Sequence, residues 1–258
     1  MKKIIWLTLW SWLFICASAS ARAATLDDAA AIIHKAWQLY RQHSETEVEQ
    51  ISLEVVRNGE APRQKTLTRW TRYAATGEQV VVKFDSPSVD KGLGLFISRN
   101  SGQQQMWLKM PSWSKARRIN GNRWRQYFAG TDLTFEDNAE LSGEDTENYT
   151  YSLQSADAQG WRVTAQPLAG SHSAYSRRDI WVDTNYAISR IDYYNRGGML
   201  IKSLRNLQLK LFSDGAWRPG RIEVVNIHKK RKTVFEISSR QFGPTLSART
   251  FSEDFLRD

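Results

Sequence analysis

The side chains able to do acid–base or metal chemistry are scattered through this 258-residue chain. Its four histidines, His34, His43, His172 and His228, lie far apart. None belongs to an H-E-x-x-H pair, which would set two imidazoles on one helix face around zinc. There is no G-x-S-x-G elbow, no Walker lysine loop and no G-x-G-x-x-G after a strand. Lys91-Gly92-Leu93-Gly94 supplies glycines but is too short to cradle a phosphate; it eases a tight loop or a close backbone approach. The densest carboxylate group is Asp132, Glu136 and Asp137. Such a group could shuttle protons or hold a metal, yet its spacing fits neither an EF-hand loop nor another standard ligand set. Backbone capping and salt bridges to nearby arginines account for it better. No enzyme, metal or cofactor is expected.

A different pattern runs from Met106 to Asn138. Lys109, Lys115, Arg117, Arg118, Arg123 and Arg125 precede any acid, with Trp107, Trp113, Trp124, Tyr127 and Phe128 interleaved. Basic plus aromatic can meet nucleic acid, anionic lipid headgroups or an acidic partner, or can simply be a solvated strand face. Lys109, Trp113, Lys115, Arg117, Arg118, Arg123, Trp124 and Arg125 are the candidate docking residues for a membrane surface or a protein partner.

The N-terminus bears on that choice. Lys2 and Lys3 precede an apolar run from Ile4 to Ala19, and Ala21-Arg22-Ala23 reads as a cleavage site. Residues 1–23 are therefore expected to be a cleaved secretory signal and 24–258 a single domain in the periplasm. The one cysteine, Cys16, would leave with the signal, which suits an oxidising compartment and removes thiolate chemistry. Export makes nucleic acid an unsuitable partner for the basic surface. The composition, 36 Lys+Arg against 27 Asp+Glu with a mean hydropathy of -0.53, excludes a polytopic membrane protein.

The elements that must position these residues are mostly strands. Thr25 to Gln42 predicts one amphipathic helix, with Thr25 and Asp28 as a capping box and Ile33, Trp37 and Tyr40 at helical spacing. From Val48 onward, short alternating runs are punctuated by turns such as Asn58-Gly59, Asn100-Ser101-Gly102 and Asp214-Gly215. About ten or eleven strands in a meander are expected. Several are one-sided, as where Leu207, Leu209 and Leu211 alternate with Gln208 and Lys210. A single curved antiparallel sheet under the N-terminal helix fits best, with a two-sheet sandwich as the alternative. One helix is little cover for so long a dry face, which suggests a cavity or further short helices.

Ordered segments along the chain also resemble a known family. They are Phe84-Asp85-Ser86-Pro87, Lys91-Gly92-Leu93-Gly94-Leu95, Met106-Trp107-Leu108-Lys109-Met110-Pro111, Ala116-Arg117-Arg118-Ile119, the run Phe128 to Asp137, and Ile191 to Lys202. Together they resemble the LolA-like outer-membrane lipoprotein-sorting family, in the branch often found beside RND-type exporters. The resemblance implies a mainly β fold, an unclosed antiparallel β-barrel whose concave face is covered by helices. It further implies a carrier of acyl chains, of lipids or lipoproteins, between envelope membranes. The alternative is an adaptor for an RND-type inner-membrane transporter without cargo of its own. On the carrier reading the candidate wall residues are Leu53, Val55, Leu95, Ile97, Trp107, Ile191, Tyr193, Leu207, Leu209 and Leu211. Ordinary core packing would explain any one of them, and a one-residue register slip would reverse its direction.

Overall fold

The computed structural model describes residues 26–75 and 77–257. The expected signal at 1–23 and Thr25 of the expected cap lie outside these described positions. Helix α1 (Leu26–Gln42) turns Ile33, Ala36, Trp37 and Tyr40 inward and leaves His34 exposed, as its periodicity requires.

Two meanders follow. The first comprises β1 (Thr46–Arg57), β2 (Arg63–Ala74), β3 (Gly77–Ser86), β4 (Gly94–Asn100), β5 (Gln103–Lys109) and β6 (Arg117–Ile119). A plug, residues 120–148, carries the short helix α2 (Phe135–Glu140). The second contains β7 (Tyr149–Asp157), β8 (Gly160–Pro167), β9 (Arg177–Asp183), β10 (Ile188–Tyr194), β11 (Leu200–Leu207), β12 (Lys210–Leu211), β13 (Trp217–Arg218), β14 (Arg221–Asn226) and β15 (Arg231–Phe242).

Thirteen strands form one antiparallel sheet in the order β6-β5-β4-β3-β2-β1-β15-β14-β11-β10-β9-β8-β7. The meanders join at its centre, where Leu53 faces Phe235, and the edge strands β6 and β7 do not pair, so the barrel stays open. The fifteen strands exceed the expected ten or eleven in part because the short β6 was not foreseen and the chain turns after β11. Gln208 adopts a positive φ of 51°, and β12 and β13 fold into a separate two-stranded hairpin.

The register defines two ends. At the first, here the rim, lie the turns 58–62, 87–93, 110–116, 168–176, 195–199 and 227–230. The β2–β3, β4–β5, β7–β8 and β9–β10 turns lie at the opposite end, the base.

Alternate residues of every long strand face a large concave core. Ile51, Leu53 and Val55 of β1, Val80, Val82 and Phe84 of β3, and Leu95 and Ile97 of β4 all belong to it. Helix α1 covers it beside β7 and β9, and Leu133, Phe135 and Ala139 of the plug join it. A second, smaller core lies on the convex face. There Phe251 and Leu256 of the C-terminal tail cover Val81, Phe96 and Trp107. Gly94 permits this contact, since a Cβ at that position would stand 2.8 Å from Leu256 Cδ2. Gly92 makes the adjoining turn at φ +85°. The two glycines thus serve both a turn and a close approach.

Candidate functional site

The concave wall is apolar in its middle and charged at its margins. Extending the phase of Ile51, Leu53 and Val55 backward along β1 places Glu49 and Glu47 inward, both buried. The same extension puts Arg69 on β2, Glu78 on β3, Arg99 on β4, Arg178 on β9, Lys202 on β11 and Arg231 on β15 into the interior, every one buried. Attention to hydrophobic positions alone overlooks these residues. Strand phase, carried past the last apolar residue, would have found them.

Buried charge must be paired and hydrogen-bonded. Here Glu47, Glu49 and Glu78 pair with arginines outside the plug, while Arg178, Lys202 and Arg231 fasten the plug to the wall. Thr134 and Asp137 form a reciprocal capping box that starts α2. Asp137 also accepts from Tyr175 Oη at 2.8 Å and ion-pairs with Lys202, both partners fully buried. Asp132 accepts from Arg231 Nε and Thr233 Oγ1, each at 2.7 Å. Glu136 accepts from Ser173 Oγ at 2.5 Å and the Ala174 amide at 2.7 Å. Glu140 pairs with Arg178 and accepts from Tyr149 Oη at 2.6 Å, while Glu144 lies 3.0 Å from the same guanidinium. Arg99 donates to the Gly143 carbonyl at 2.6 Å. The acidic cluster is thus capping and salt bridges.

Burial is the main cause of the shifts in protonation. It pushes the Glu140 carboxyl up to about 8; Arg178 opposes it, and Glu136 and Glu144 add to it. Burial likewise raises Glu136. At the base, burial raises Glu47, with Glu49 adding to it, although Arg218 and Arg240 pair with Glu47. For Glu49 burial acts in the same direction, but Arg69 and Arg240 outweigh it and hold the carboxyl below its ordinary range.

Beneath α1 the core is closed. Trp217 is fully buried, donates from Nε1 to the Ala36 carbonyl at 3.1 Å, and lies edge-on to Tyr40 at 4.9 Å. The space left between α1, α2 and Ile191, Tyr193, Leu204 and Ile222 is only about 20 Å³. A larger groove of about 450 Å³ opens at the rim between the ends of β2–β5 and plug residues 123–130. Leu93, Leu108, Phe128 and Phe135 line it.

Of the candidate wall residues, Leu53, Val55, Leu95, Ile97, Ile191 and Tyr193 are buried in the concave core, and Leu209 packs against it half-buried. Trp107 does not belong with them. Met106 and Leu108 take the inward phase of β5, so Trp107 stacks on Phe96 on the convex face at 5.0 Å. Leu207 pairs with Arg221 in the phase opposite to the buried Lys202 and Leu204, and Leu211 is 48% exposed on the small hairpin. The positive φ at Gln208 breaks the alternation on which both rested.

The candidate docking residues also separate. Lys109 is buried and donates to the Met110 carbonyl, so it offers no free surface. Trp113 is half-buried under the Arg117 guanidinium at 4.5 Å, and Lys115, Arg117 and Arg118 are exposed beside the rim. On the plug, Arg123 is exposed, Trp124 stands edge-on to His172 at 6.0 Å, and Arg125 donates to the His172 carbonyl at 3.0 Å. The described residues contain no cluster of metal-ligand type and no helix long and apolar enough to cross a membrane.

An open thirteen-stranded sheet with helices on its concave side defines a LolA-like fold, and comparison with solved structures shows the same. A Vibrio parahaemolyticus domain assigned to outer membrane lipoprotein sorting superposes with a TM-score of 0.83 at 19% identity, covering 91% of this chain and 100% of its own. A DUF1329 family protein from Desulfovibrio piger gives 0.80 at 23% identity, over 90% of this chain and 98% of its own. A LolA superfamily protein from Nitrosomonas europaea gives 0.68 at 18% identity, over 88% and 98%. No curated protein sequence matches the chain. Residues 76–258 match the model of a family described as "Uncharacterized protein", and the chain belongs to that family.

Proposed function

We propose that the protein binds acyl chains, of lipids or lipoproteins, against the concave face of its open sheet and carries them through the periplasm between envelope membranes. The observation that carries this reading is the construction of the concavity. A broad apolar wall is covered by a plug that is held by discrete ion pairs rather than by strand pairing. The lipoprotein-sorting assignment of the Vibrio parahaemolyticus domain, which shares the fold, supports it. Cargo would displace the plug from the wall, beginning at the rim groove. Each buried CH₂ contributes roughly 0.8 kcal/mol, so one long chain could supply ~10 kcal/mol toward parting those contacts. We read the protein as non-catalytic, because Asp132, Glu136 and Asp137 are each engaged by protein donors.

The small interior space of about 20 Å³ favours a second reading, an accessory of an envelope transporter that carries nothing. Native mass spectrometry with lipid extraction, on protein purified gently from the periplasm, separates the two. A discrete co-purifying lipid or acylated peptide supports the carrier. A clean unliganded mass, with no uptake of offered lipids, would retire it in favour of the accessory.

A further inference from the structure

We propose that the rim docks on an anionic bilayer surface. This assignment rests on the acyl-chain reading above and names the surface with which cargo is exchanged. Among the described residues, every large exposed apolar side chain except Leu211 lies at or beside this end. Val89 is 76% exposed within its turn and Met199 61% exposed where the 195–199 turn closes, and Leu168, Val225 and Ile227 stand in or next to neighbouring turns.

The charge of the same turns is one-sided. Lys91, Arg196, Lys229 and Lys230 are exposed there, with Lys115 close by. The acids of these turns are Glu60 and Asp90, and both are already engaged. Glu60 lies 3.2 Å from Arg63 and Asp90 lies 2.7 Å from Lys65. The base has four acids in or beside its turns, Glu45, Asp157, Asp183 and Asp214, of which Asp214 lies 2.9 Å from His43.

The arrangement of the apolar groups selects a bilayer over a protein partner. A protein interface packs a contiguous apolar centre inside a polar ring. Here Val89, Leu168 and Met199 belong to separate turns and Val225 and Ile227 to the end of one strand, with basic residues between these groups. A bilayer accepts such separate insertions while its headgroups attract the cations. The position fits the cargo route as well. The groove of about 450 Å³ opens at this end, and its Leu93, Leu108, Phe128 and Phe135 are part of the concave core. A chain leaving the bilayer under the rim would meet that groove first.

Flotation of the purified protein with vesicles tests this, using phosphatidylcholine alone and phosphatidylcholine with phosphatidylglycerol. Wild type should float only with the anionic vesicles, and less as salt is raised. Each basic residue near such a surface is worth about fivefold in partition. Arg196→Glu with Lys230→Glu should therefore lose more than about tenfold, and Met199→Ser with Ile227→Ser should lose several-fold. All four positions are exposed, so these variants should melt like wild type. Absence of wild-type binding, or equal binding by wild type and both variants, overturns the assignment. So does retention by an envelope protein that both variants lose while vesicles are ignored. Uptake of a water-soluble fluorescent fatty acid is measured in parallel. A wild type that docks without taking up the probe retires the carrier reading and leaves the docking surface standing. Variants that take up probe normally but do not dock support a docking role separate from cargo binding.

Discussion

Lys202, on the inward face of β11, forms an ion pair with Asp137 of the plug helix, and neither side chain has any exposed surface. Tyr175 completes the triad: its Oη lies 2.6 Å from Lys202 Nζ and donates to Asp137 at 2.8 Å. The Lys202 ammonium also sits 4.3 Å from the centre of the Tyr193 ring.

Removing one member strands the other. Asp137→Asn should cost about 3–5 kcal/mol, the usual penalty for an uncompensated buried charge. Urea unfolding reads this directly. The double variant Asp137→Asn with Lys202→Met should recover much of the loss, because the buried ammonium is then gone. A double variant no more stable than the single one would show that the pair itself, not the stranded charge, sets the stability.

Glu140 predicts a pH dependence whose sign is fixed. Its folded carboxyl titrates at about 8, above the ordinary 4.5, because burial and the neighbouring Glu136 and Glu144 outweigh Arg178. An acid with a raised folded value contributes stability that is complete below about 4.5 and is lost as pH rises toward 8. Thermal melts across that window should fall with rising pH. Glu140→Gln, which cannot ionise, should flatten the slope, and an unchanged slope would assign it elsewhere.

Trp217 joins the small hairpin to α1 through both ring packing and its bond to Ala36. Trp217→Ala should cost about 3–5 kcal/mol. The loss should concentrate in α1, so amide exchange should speed up in residues 29–42 more than in β1–β5. Uniform acceleration across the sheet would show that α1 and the sheet open as one unit.

The convex core makes a separate prediction at Gly94. A methyl group there meets Leu256, so Gly94→Ala should cost about 1–3 kcal/mol by overpacking. The tail should loosen before the sheet does, visible as earlier proteolysis beyond residue 243. A variant with wild-type tail protection would mean that Leu256 swings aside freely.

Much of this architecture was legible. The spacing of Ile33, Trp37 and Tyr40 marked α1, and the alternation of Ile51, Leu53 and Val55 marked β1 and its inward face. Trp107 was not legible, because alternation was read against a sheet with one dry face, and a tail more than a hundred residues later makes the other face dry as well. Leu207 and Leu211 failed for a local reason, a left-handed residue at Gln208 that pattern alone does not reveal. Glu47 and Arg178 were hidden because each strand was begun one residue after them, and Lys202, inside its strand, was passed over because only apolar positions were taken as inward.

The pairing of β1 with β15 sets the order in which the chain can assemble. Glu47 lies opposite Phe242, so the centre of the sheet is made from segments nearly two hundred residues apart, whereas the flanking meanders are built from hairpins. Local hairpins form quickly, and distant pairing waits on closure of a long loop. The two arms can therefore gain structure as independent units while the middle of the molecule is still missing. The last event is a zipper between them, and until it closes both β1 and β15 present unpaired backbone on one side.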